Sequence, residues 1–151
     1  MDHRNILDER IDPIDIFQTR EAYQRQAAIG SPSIAAKFSY AHALIGSRNK
    51  EEVKEGIDLF EDLLREDLDY GSNRDYLYFL AVANARMKKF DRALNYIDVL
   101  LNAESHNRQA SDLKKNIKEK MRKDGLLGAA IVGGGAVVVG GILAALLASR
   151  R

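Results

Sequence analysis

The chain has no cysteine among its 151 residues and no Asn-x-Ser/Thr site, so disulfide staples, thiolate chemistry and sequon glycosylation are excluded. Its first residues, Met1-Asp2-His3-Arg4-Asn5, are too polar for a secretory signal and too acidic for a typical transit peptide, which fits a cytosolic chain. The three histidines, His3, His42 and His106, fall on separate elements, and no His-Glu-x-x-His pattern joins any of them. The run Gly133-Gly134-Gly135 lacks the spacing, the lysine and the preceding strand of a phosphate loop. Asp67-x-Asp69-x-Gly71 begins like a calcium loop, but the glycine comes one place early and Tyr78 stands where the bidentate Glu belongs. It reads as a polar loop. No catalytic residue, metal site or cofactor is therefore expected, and the chain reads as non-enzymatic.

The net charge of +1 conceals a gradient along the chain. Residues 1–113 hold 15 Lys/Arg against 20 Asp/Glu, while residues 114–124 hold six against two. Beyond them the only charged side chains are Arg150 and Arg151. An acidic body argues against a nucleic-acid partner, because phosphate binding needs basic residues spread over a face.

One long hydrophobic run stands out. Gly125–Ser149 offers 25 positions without charge or proline, and a helix of that length would reach about 37 Å against a hydrocarbon core of about 30 Å. The expectation is a transmembrane tail anchor over 124–149, inserted after translation, with the preceding domain facing the cytosol. Basic residues on both sides, Lys120, Arg122, Lys123, Arg150 and Arg151, would assist targeting. They suit an anionic leaflet, at ~1 kcal/mol each. Seven glycines leave the run moderately hydrophobic, more like a mitochondrial or peroxisomal anchor than one of the endoplasmic reticulum. Ala136, Gly140, Ala144 and Ala148 put small residues on one face every fourth position, a stripe through which two copies could self-associate.

Between arm and tail, residues 13–123 carry helical periodicity with no alternating strand pattern. Asp12-Pro13 starts a first helix to about Ile29. Gly30-Ser31-Pro32-Ser33 breaks the chain before a second helix, through Ile34, Phe38, Ala41 and Ile45. Asn49 and Glu52 read as a capping pair for a third. Gly71-Ser72-Asn73 is expected to separate this from a fourth, and Lys88-Lys89 to turn the fourth into a fifth. The sixth, with Ala110, Leu113, Ile117 and Met121, is expected to run unbroken towards the membrane. The class is all-α: a six-helix antiparallel array plus a C-terminal transmembrane helix. The divisions are an N-terminal arm over 1–11, a cytosolic domain over 12–123, the anchor over 124–149 and a basic tail at 150–151.

Helices two to five read as two tetratricopeptide-like repeats. Leu77-x2-Leu80-Ala81-x2-Asn84 followed by Ala93-x3-Ile97-x2-Leu100 has the repeat's spacing, and Tyr40-Ala41-x2-Leu44 followed by Gly56-x3-Phe60-x2-Leu63 echoes it with three extra residues in the turn. Ser105 stands where the repeat usually has proline.

The stretch Arg74-Asp75-Tyr76-x-x-Phe79-Leu80-Ala81-Val82-x-Asn84-x-Arg86-x-Lys88, the later Ala93-Leu94-x-Tyr96, and Glu104-x-x-Asn107-x-Gln109-Ala110 resemble the second repeat of the mitochondrial fission 1 proteins. Lys123-Asp124-Gly125-Leu126-x-Gly128-x-Ala130-Ile131-Val132-Gly133-Gly134 resembles the point where that family meets the membrane. The similarity covers roughly residues 30–135. It implies a tail-anchored adaptor of the mitochondrial outer membrane and of peroxisomes, whose concave groove receives dynamin-related fission GTPases, their adaptors or regulators. It also implies an arm before the first helix able to lie in or near that groove. A receptor for imported or targeted proteins is the alternative function.

With Ala41 and Ala81 at the helix crossings, the expected groove lining is Phe38, His42 and Ile45 from the first repeat and Tyr78, Val82, Ala85 and Arg86 from the second. This mostly apolar surface with one cation suits an amphipathic helix or an extended peptide. It lacks the Lys and Asn with which related repeat proteins hold a C-terminal carboxylate.

Overall fold

Side-chain caps fix where most of the helices begin. The structure, a computed structural model, describes residues 5–126. After a short 3-10 turn at Ile6–Asp8 come α1 (Pro13–Ile29), α2 (Ile34–Ile45), α3 (Lys50–Glu66), α4 (Tyr70–Arg86), α5 (Phe90–Ala103) and α6 (Arg108–Lys123). Asp12, Ser33, Asn49, Asp69 and Asn107 each accept an amide of the first turn of their helix, satisfying donors that have no partner within it. Only α5 starts without a side-chain cap.

Three local expectations are corrected. Gly71, Ser72 and Asn73 lie inside α4, because Asp69 takes the Ser72 amide at 2.9 Å and starts the helix earlier. Asp67 accepts the Tyr76 hydroxyl at 2.6 Å, so one carboxylate of that loop caps α4 and the other ties the loop to its body. Asn49 caps α3 as expected, but Glu52 does not complete the pair: its carboxylate accepts from Ser47 Oγ and Arg20 instead. The third correction concerns α6, which stops at Lys123. The Gly125 amide bonds to Arg122 O and the Leu126 amide to Met121 O, with Gly125 at φ 74. This is a Schellman closure, and it needs the left-handed conformation that glycine adopts without steric cost.

Consecutive helices pack against one another in chain order, and α4 also meets α6 and the 3-10 turn. The two repeat pairs, α2–α3 and α4–α5, cross closely through small residues. A Cβ added to Gly56 would come within 2.8 Å of Ile45 Cγ2 and 3.0 Å of Ala41 O, so the α2–α3 crossing excludes any larger residue there. Ala93 holds the corresponding place in α5 and is fully buried, as is Ala81 opposite it in α4. Phe60, Leu63, Leu80, Ile97, Leu100, Leu113 and Ile117 fill the core between the layers. Burial of each contributes on the order of 1.5–3 kcal/mol. Among the described residues the architecture is an all-α array of six helices with two tetratricopeptide-like repeats.

No described helix is long and apolar enough to cross a membrane. The expected anchor beyond Leu126, the stripe Ala136, Gly140, Ala144 and Ala148, and the basic pair Arg150 and Arg151 lie outside the described residues.

Candidate partner-binding groove

The groove expected between α2 and α4 is occupied by the chain's own arm. Leu7, at the centre of the 3-10 turn, is only 1 % exposed, and Asn5 Oδ1 holds its amide at 3.0 Å. The turn lies against α4. Further along, the Ile11 amide donates to Gly46 O at 2.9 Å, and the Ile11 side chain stands 2.6 Å from where a Cβ on Gly46 would be. Absence of a side chain at Gly46 therefore lets the arm approach the end of α2. At the opposite edge Lys120 of α6 pairs with Asp8 at 3.1 Å.

Arg86, at the end of α4, is the clasp. Its guanidinium donates to Ile6 O at 2.6 Å, to Glu9 O at 2.7 Å and to Ile45 O at the end of α2. The planar fork thus serves three carbonyls from the arm and α2, a geometry lysine could not reproduce. Burial, followed by the nearby Arg10, lowers its pKa to about 10, so it stays charged at neutral pH. A cavity of about 90 Å³ remains beside it, between the arm and the two helices, lined by His42, Ile45, Phe79 and Val82 among others.

The sequence-expected lining is distributed unevenly around this contact. Ile45, Tyr78, Val82 and Ala85 are buried, Phe38 and Arg86 are half-buried, and His42 keeps an exposed edge. Arm and lining together make a closed interface, so the set is not an open floor. Loss of solvent around the Tyr78 phenol raises its pKa, and a hydrogen bond with Gln109 of α6 opposes that shift. Desolvation, then the charge of Arg86, lowers the pKa of His42, which favours the neutral ring.

Phe79 is the groove residue that periodicity reasoning missed. Its ring meets His42 edge-on at 4.8 Å and packs near Phe38 at 6.0 Å and Phe60 at 5.7 Å, joining α2, α3 and α4. Its place three and seven residues before Val82 and Arg86 was the available signal. Among the described basic residues expected near the membrane, Lys120 is engaged with Asp8, Arg122 pairs with Glu119, and Lys123 is exposed. No group of three or more described His, Asp or Glu residues could hold a metal ion.

The Fis1 N-terminal tetratricopeptide repeat model matches residues 35–67 and the Fis1 C-terminal tetratricopeptide repeat model matches residues 74–126. The FIS1-related protein fis-2 of Caenorhabditis elegans is 55% identical over 151 residues, covering 100% of both chains. The mitochondrial fission 1 protein of Homo sapiens is 39% identical over 137 residues, covering 91% of this chain and 90% of its own. The crystal structure of yeast Fis1 in complex with an Mdv1 fragment shares the fold, with a TM-score of 0.70 at 24% identity over 80% of this chain and 92% of that one. Repeat spacing, the six-helix array and these likenesses agree: the chain belongs to the mitochondrial fission 1 (Fis1) family.

Proposed function

We propose that this protein is a tail-anchored adaptor of the mitochondrial outer membrane and of peroxisomes, and that it recruits or regulates the fission machinery through the α2–α4 groove. The observation that carries this reading is the Arg86 clasp on the arm. A surface that buries Leu7 and satisfies the carbonyls of Ile6 and Glu9 is already fitted to a short peptide with an apolar anchor. The arm is then the resident occupant, and a partner segment gains access by displacing it. The groove residues in that role are Phe38, His42, Ile45, Tyr78, Val82, Ala85 and Arg86, with Phe79 added.

The partner is a segment of a dynamin-related GTPase, its adaptor or its regulator. Yeast Fis1, whose fold this chain shares, has been crystallised with an Mdv1 fragment containing N-terminal extension and coiled-coil domains. The tail over 124–149 concentrates the groove at the organelle surface, so that modest affinity suffices for recruitment.

The test is photocrosslinking in cells from a benzophenone placed at His42, which keeps an exposed edge, in chains with and without residues 1–11. Adducts with fission proteins that increase on removal of the arm support the reading. Adducts with presequence-bearing proteins instead would select the import-receptor alternative. A full chain lacking 125–151 that stayed on mitochondria would defeat the anchoring half.

A further inference from the structure

The α4–α5 turn carries a lysine where the backbone favours glycine. Lys88 has φ 59, its amide bonds to Ala85 O at 3.0 Å, and the Lys89 amide bonds to Asn84 O at 2.8 Å. This is the same Schellman closure that ends α6, where the corresponding position is Gly125. A left-handed lysine is strained, and its side chain is 73 % exposed, so packing does not explain its presence. The two closures are also linked in space. Lys88 Nζ lies 3.7 Å from an oxygen of Asp124, the residue that follows α6.

That pairing sets the α4–α5 turn beside the point where the chain leaves the described structure for its uncharged run. Lys88, Lys89, Arg122 and Lys123 are all exposed there, with Leu126 half-exposed among them. The carboxylates ion-paired with this group are Asp124, on Lys88, and Glu119, on Arg122. Asp8 on the arm faces Lys120. Cations from two elements thus surround the exit point and outnumber the acids paired with them.

We propose that the α4–α5 turn is a second membrane contact, in which Lys88 and Lys89 rest with Arg122 and Lys123 on anionic phospholipid headgroups. The proposal rests on the tail-anchor reading. Each such cation near an anionic surface adds attraction that fades within a Debye length, so the contact weakens with salt. It fixes the orientation of the body: the ends of α2, α4 and α6, with the Arg86 clasp between them, face the bilayer, and the Leu68 loop at the other end of α4 points away.

The chain lacks cysteine, so a single fluorophore can be placed by Lys89→Cys, or by Leu68→Cys as reference. The full chain is inserted into vesicles of phosphatidylcholine alone or mixed with phosphatidylglycerol, doped with headgroup spin label. The expected result is quenching several-fold stronger at position 89 than at 68 with phosphatidylglycerol, reduced by high salt. Lys88→Gly should weaken that quenching while making the fold more stable, a combination a merely structural lysine would not give. Equal quenching at 89 and 68 in protein that resists alkaline extraction would overturn the contact and leave the anchor standing. Protein released by alkali would overturn the anchor, and this proposal with it.

Discussion

Arg86 donates to the carbonyl of Ile6 at 2.6 Å across 80 positions of sequence, and this bond closes the arm over the groove. Arg86→Ala leaves the Ile6, Glu9 and Ile45 carbonyls without their charged donor. The expected loss is about 1.5–3 kcal/mol of arm docking, the usual range for a hydrogen bond to an ionised group. Trypsin should then cleave after Arg10 faster while the helical domain survives. Arg86→Lys should fall between, since an ammonium cannot serve three carbonyls in one plane.

Gly46 and Ile11 form the other fastening. Gly46→Ala places a methyl 2.6 Å from Ile11 Cγ1, a contact the arm must shift to avoid. Gly46 has φ −86, so alanine itself introduces no backbone strain. Amide exchange at Ile11 should accelerate in Gly46→Ala, and Ile11→Ala in the same chain should restore only part of the protection, because the Ile11 Cβ itself stands 2.9 Å from the added methyl. A coupling of about 1 kcal/mol is expected in the double-mutant cycle.

The surroundings of His42 predict a stability that falls in acid. Its folded pKa lies below the ordinary value of 6.5, chiefly through desolvation and then through Arg86. The neutral ring therefore favours the folded state. This contribution is fully present above pH 6.5 and is lost as pH falls through the depressed folded pKa. Urea midpoints measured downward from neutral pH should decline more steeply in the natural chain than in His42→Gln. Equal slopes would remove His42 as the cause.

The two helix-ending closures predict opposite effects of exchanging their residues. Gly125→Ala forces alanine into the left-handed region at a cost of about 1–2 kcal/mol. The Leu126 amide should lose exchange protection as its bond to Met121 O is released. Lys88→Gly removes strain at the matching place and should raise the unfolding free energy by about 1 kcal/mol, and the urea midpoint with it. Both are read by urea unfolding, with amide exchange locating the change.

What was legible in the sequence was local. Asp12 and Asn49 cap helices because an acceptor and its amides sit within three residues, and the repeat positions Gly56, Ala81 and Ala93 are forced by close helix crossings. The stop at Gly125 has a local signal, glycine after a basic last turn, but the apolar run that follows it carries the opposite signal of a continuing helix. Glu52 departed from its expected role because Arg20, 32 residues away, competes for its carboxylate.

The six helices of the described residues, the repeat frame and the uncharged run were readable from sequence alone, since periodicity and capping depend only on near neighbours. Tertiary structure decided what fills the groove and what stands at its lower end. Leu7, Ile11, Gly46 and Arg86 are scattered over 80 residues, as are Lys88 and Asp124 over a shorter span, and none carries a periodic signal announcing its partner. Only when α2, α4 and α6 are packed side by side do their ends converge. That convergence brings a guanidinium within reach of three carbonyls and a turn lysine beside the last residue before the tail.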